Sequence, residues 1–147
     1  MRPRPLSDEP FMSSISTIAL SGMNAAARRL EVSASNVANV LSTGALPDAD
    51  GNVPSGTPQA YAPLELVQTA SAGGGTQATV TTAKPSTIAV SDPQAPFANQ
   101  DGLVAAPNVD LSQEMVGQIL ASYSFSANAT VMKADDRMTK TLLDIIA

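Results

Sequence analysis

The chain contains no cysteine, no histidine and no tryptophan. Disulfides, thiolate nucleophiles, Cys/His zinc sites and every histidine-based triad are thereby excluded. Aromatic residues make up only 3% and charged residues 14% of its 147 residues, against about 25% charged in an average domain. Eight Lys and Arg stand against thirteen Asp and Glu, a formal net charge of −5. A chain this acidic and this poor in aromatics lacks both the phosphate-binding and the base-stacking groups of nucleic-acid binders. No apolar run approaches the roughly 18 residues of a membrane span, so no stable membrane insertion is expected. Arg2 and Arg4 are followed by Asp8 and Glu9, and Ser16, Thr17, Ser21 and Asn24 break up the apolar residues beyond Ile15. The sequence therefore predicts no cleaved signal peptide.

Proline is also absent where it would matter to a helix. Three prolines fall within residues 1–12, eight within 42–110, and none in 13–41 or 111–147. This partition predicts a leader over 1–12, an N-terminal helical segment over 13–44, a hairpin- and loop-rich middle over 45–110, and a C-terminal helix over 111–147. The leader reads as disordered, or as residues ahead of a start at Met12. In the first segment Ile15, Ala19, Met23, Ala26, Leu30, Ala34, Val37 and Leu41 recur at a mean spacing of about 3.7 residues, a helical stripe. Ser13 or Ser14 suits its start and Gly44 its end. In the last, Val116, Leu120, Tyr123, Ala127, Val131, Ala134, Met138, Leu142 and Ile145 recur at about 3.6, which predicts a nearly straight helix over 111–146. Asp110 occupies the N-cap position, with Gln113 three residues on to complete a capping box. In the middle, β-branched residues mark strands over 61–69, 76–83 and 86–91. Gly73, Gly74 and Gly75 make a hairpin-like tip, and Asp50-Gly51 and Asp101-Gly102 are turn signals.

Candidate chemistry is sparse. Nothing places Lys84, Lys133 or Lys140 beside a serine. Asp135 and Asp136 are adjacent, and adjacent helical residues diverge by about 100°, so they read as a solvated face rather than a dyad. Arg28 and Arg29 read as either partner contacts or exposed side chains. Residues 73–75 lack the Lys-Ser/Thr of a phosphate loop. No catalytic, cofactor-binding or metal-binding residue is assigned, and no cofactor is expected. Asn36 and Asn39, three apart near the end of the first helix, read as buried polar residues that fix helix register. The expected fold is mainly α: two long terminal helices packed as a coiled-coil-like pair, with a small β-hairpin and loop-rich middle. Two such rods cannot wrap the sparse middle, and Ile18, Leu20, Leu111, Met115 and Ile119 add apolar residues off the stripes. Assembly with other helices is the simple solution. The two stripes, together with Asn36 and Asn39, are the expected assembly interface.

Several stretches resemble a known family. Residues 16–25 (STIALSGMNA), Arg29-Leu30, residues 35–39 (SNVAN) and Ser42-Thr43-Gly44 are similar to the N-terminal signature of bacterial flagellar axial proteins, the rod, hook and hook-associated subunits. Asp92-Pro93, Pro96, Ala98-Asn99, Gly102, residues 107–111 (PNVDL) and Glu114-Met115-Val116 narrow the resemblance to the FlgC-type basal-body rod proteins. Tyr61, Pro63, Ala127-Asn128, Met138 and Leu142-Leu143 fit as well. The resemblance spans about residues 13–147. It implies a structural subunit of the proximal rod, located in the flagellar basal body and without enzymatic activity. Such a subunit is exported through the flagellar type III apparatus without a cleaved signal and polymerises with copies of itself and with other rod proteins into a torque-transmitting tube. Another rod or hook-type subunit, or a stand-alone helical-hairpin binding protein, are the alternatives.

Overall fold

In a computed structural model the described residues are 14–48 and 50–146; the expected leader, the choice between Met1 and Met12, and Ser13 as a cap lie outside them. The first proline-free, Ala-rich segment forms helix α1, Ser14–Ala38. It stops short of Gly44, the expected end. At that point Asn39 turns its side chain back, Nδ2 donating to the Ser35 carbonyl at 2.9 Å, and the Ser42 hydroxyl donates to Asn39 Oδ1 at 3.2 Å. This local side-chain competition with the helical ladder is what asparagine and serine do at helix ends. Gly44 instead makes an isolated antiparallel bridge with Ala105. A Cβ there would stand 2.6 Å from the Pro58 carbonyl oxygen and closer still to the backbone of Gln59 and Ala60, so only glycine fits.

The last segment forms helix α2, Leu111–Ile146, at the predicted bounds. Asp110 is its cap: Oδ1 accepts from the Ser112 and Gln113 amides at 2.8 and 3.2 Å. At about 1.5 Å per residue α1 is about 37 Å long and α2 about 54 Å.

The two helices pack antiparallel. The start of α1 meets the far half of α2 where the Ser16 hydroxyl donates to Asp135 Oδ2 at 2.6 Å. The end of α1 meets the first turn of α2 where the Ser33 hydroxyl donates to the Glu114 carbonyl at 3.1 Å. Asp135 is thus buried in the seam rather than on a solvated face, while Asp136 is exposed. Between these points the backbones come close on small residues: Ala19, Ala26 and Ala121 are buried, and a Cβ on Gly22 would lie 2.6 Å from the Asn128 side chain.

The middle folds into two antiparallel two-stranded sheets. Strands β1, Leu64–Ala70, and β2, Thr76–Thr82, pair from Leu64↔Thr82 to Ala70↔Thr76 around the glycine tip. Strand β3, Thr87–Ser91, pairs with β4, Leu103–Pro107. The first three match the sequence reading to within a few residues. Strand β4 is absent from that reading because its five residues are short, carry no polar alternation and end in proline. Gly51 and Gly102 take the left-handed conformation that the two Asp-Gly turns demand, at φ 82° and 71°.

The β1–β2 hairpin lies against α1. Ser21 Oγ donates to the Ile18 carbonyl and accepts the Thr76 amide at 3.1 Å, and Arg29 Nη2 donates to Gln68 Oε1 at 3.0 Å. The buried apolar residues among those described are alanines, two valines, Val32 and Val104, and two prolines, Pro63 and Pro107. No large side chain joins them.

Candidate assembly surface

The seam that joins the helices is mainly small and polar. On α2 the buried or half-buried residues are Glu114, Gly117, Gln118, Ala121, Asn128, Ala129, Met132 and Asp135, with Met132 the one large apolar side chain among them. The apolar stripe of α2 is elsewhere. Val116, Leu120, Tyr123, Ala127, Val131, Ala134, Met138, Leu142 and Ile145 are all exposed, Tyr123 at 71% and Ile145 at 76%. A coiled-coil-like pairing of the two helices would bury one stripe of each on the other, and in the single chain the α2 stripe is not buried in this way. Small residues permit closer backbone approach than leucine or tyrosine, and serine, asparagine and carboxylate groups find specific partners across the seam. The large apolar residues are left pointing outward.

On α1 the stripe divides. Ala19 and Ala26 are buried within the chain, Met23 and Val37 are half-buried, and Ile15, Leu30 and Ala34 are exposed. Leu41, just past the helix, is 86% exposed. Asn36 is buried and fully engaged inside the chain, and Asn39, half-buried, is engaged with Ser35 and Ser42. The off-stripe residues Ile18, Leu20, Leu111, Met115 and Ile119 are exposed too, and those on α2 widen its stripe into a band. Beside the close approach of the helices, Ala26, Ala27, Leu30, Ala121, Ser122, Phe125 and Ser126 line an open, mainly apolar cleft of about 250 Å³. Arg28 pairs with Glu31 at 3.5 Å on the exposed face. Among the described residues no helix is long and apolar enough to cross a membrane.

The inward seam is missing from the sequence reading, although a signal for it exists. Gly117, Ala121, Asn128 and Asp135 recur at helical spacing, as a stripe of small and polar residues rather than of large apolar ones. Exposed apolar patches much larger than a few hundred Å² are rare on monomers and mark interaction sites. The exposed apolar band runs along most of the 36-residue helix α2.

Comparison with known proteins agrees. A family model described as flagella basal body rod protein matches residues 17–45, and one described as the flagellar basal body rod FlgEFG protein C-terminal region matches 100–145. The flagellar basal-body rod protein FlgC of Escherichia coli O6:H1 is 36% identical over 126 residues, covering 85% of this chain and 91% of that protein. The FlgC proteins of Salmonella typhimurium and Yersinia enterocolitica are 35% and 37% identical, at the same coverage of both chains. With both helical ends matched and relatives of 35–37% identity covered over 91% of their length, this chain belongs to the FlgC family of flagellar basal-body rod proteins, structural subunits of the rod and not enzymes.

Proposed function

We propose that the chain is a subunit of the proximal rod that polymerises through its terminal helices into a tube transmitting motor torque. The observation that carries this reading is the exposed apolar band of α2, which a lone chain leaves in water. In the assembly, the exposed stripe residues of both helices meet neighbouring copies and other rod proteins. There α1 and α2 act together as a coiled-coil-like pair within one inner-tube unit made of the 13–44 and 111–147 segments. The 45–110 region faces outward against adjacent rod subunits. Each large apolar side chain buried on assembly contributes about 1.5–3 kcal/mol, and many such contacts along two helices resist shear. Ala26, Ala121 and Phe125 border a cleft sized for a neighbour's side chain.

The same reading has the chain leave the cytoplasm unfolded through the flagellar type III export apparatus, without cleavage of a signal. A core of alanine, valine and proline, with no disulfide to reduce, suits passage through a narrow channel. The test is a strain deleted for this subunit: basal bodies should be truncated before the rod, and the chain should restore rods and swimming. A purified chain that stays a monomer at every concentration, and a deletion strain with complete rods, would overturn the reading.

A further inference from the structure

Asn36 is 2% exposed, yet its amide is saturated with partners. Its Nδ2 donates to Glu114 Oε1 at 2.6 Å and to the Leu64 carbonyl at 2.9 Å. Its Oδ1 accepts from the Tyr61 hydroxyl at 3.0 Å and from the Leu64 amide at 2.9 Å. Two donors and two acceptor sites are all that an asparagine side chain has. The Tyr61 hydroxyl in turn lies 3.0 Å from Ser35 Oγ, and Ser33 Oγ holds the Glu114 carbonyl. Three elements far apart in sequence converge here: the last turns of α1, the entry to β1, and the first turn of α2. A side chain buried this deeply is costly if any partner leaves, because the orphaned group loses its hydrogen bond without regaining water. The network is therefore complete only when α2 is closed on α1 and β1 is in place at the same time.

We propose that Asn36 is a positioning residue that couples closure of α2 on α1 to the seating of the β1–β2 hairpin, so that a subunit offers its hairpin to neighbours only once its helices are paired. The coupling is a property of the single chain; its consequence for assembly rests on the rod reading.

The test exploits a donor–acceptor exchange in the full-length chain. Asn36→Asp is nearly isosteric but sets a carboxylate against Glu114. Amide exchange at Leu64 and through the hairpin should accelerate roughly tenfold or more. Adding Glu114→Gln supplies an amide donor to the introduced carboxylate and should recover part of that protection, the Leu64 carbonyl staying without the donor that Asn36 gave it. Glu114→Gln alone keeps an acceptor for Asn36 and should change little. A residue that merely fills space would not be rescued by a change at position 114. The proposal is overturned if the double variant exchanges as fast as Asn36→Asp, or if the wild-type Leu64 amide exchanges as freely as in Asn36→Ala. Swimming of a subunit-deleted strain carrying each variant reads the assembly consequence separately. If the exchange pattern holds while no variant, wild type included, builds rods, the rod reading fails and the coupling stands.

Discussion

Gly22 shows how little room the seam between the helices leaves for a side chain. The α1 and α2 backbones approach there so closely that a Cβ would meet the Asn128 side chain at 2.6–2.7 Å. That side chain is a short amide, with Nδ2 bonded to the Ser124 carbonyl of its own helix. Alanine at position 22 needs only that amide to swing aside, and alanine in a helix is favoured over glycine by about 1 kcal/mol. Gly22→Ala should therefore be close to neutral. Gly22→Val adds two γ-carbons to the same gap and should destabilise the chain by about 1–3 kcal/mol through overpacking. Thermal unfolding of the two variants side by side checks this, and a valine variant as stable as the alanine one would refute the close approach. Residue chemistry of this kind is only half legible in the sequence. Asn36 stands out as a polar residue near a helical stripe, and its burial accords with that reading. Asp135 is marked only by the spacing it shares with Gly117, Ala121 and Asn128, and Ser16, which donates to it, lies 119 residues away.

Among the elements, α2 is the most legible, since its start carries a chemical mark that needs no tertiary contact. Asp110 holds two of the orphan amides of the first turn. Asp110→Ala should cost about 1 kcal/mol, with the range for such caps roughly 0.5–2, read as a lower melting temperature with helicity otherwise retained. The β1–β2 hairpin is legible as strands and tip, but its docking is not. A free loop tip tolerates deletion, and residues 73–75 carry no sequence mark of any other role. In the fold, Gly74 packs near Ile18, and a Cβ on Gly75 would collide with the Ser21 hydroxyl. Gly75 also has φ 80°, a conformation that β-branched residues strongly resist. Gly75→Val should detach the tip from α1 and expose the Thr76 amide, seen as faster exchange there than at Leu64. Deleting 73–75 should likewise do more harm than a tip deletion in open water. Strand β4 escapes the sequence reading for a different reason. Its backbone pairs with β3 and bridges to Gly44, and that pairing, not its five side chains, makes it a strand.

For the whole molecule, periodicity finds a helix and an apolar stripe along it, but not the direction in which the stripe points. It identifies the face that needs burial, and does not say whether the burying partner is in the same chain. Here the intrachain seam went mainly to small and polar residues, and the large apolar side chains of the stripe were left outside. In the assembly proposed above, that arrangement would separate two properties that most proteins combine, the stability of the subunit and its affinity for neighbours. Leu120 and Val131 are 54% and 45% exposed. An aspartate at either position sits in water in the isolated chain, where a surface substitution changes stability by no more than about 0.5 kcal/mol. In an assembled rod the same carboxylate would be pressed into an apolar seam without a partner, which costs several kcal/mol. Leu120→Asp and Val131→Asp should therefore leave the melting temperature and the secretion of the subunit near wild type while abolishing rods and swimming. Asp136→Ala, exposed on the same helix but off the apolar band, should leave both intact. Should either aspartate variant swim normally, the outward band is not the surface that holds the rod together. Should either variant melt far below wild type, the side chain is holding the subunit itself together, and the division between inward seam and outward band is wrong.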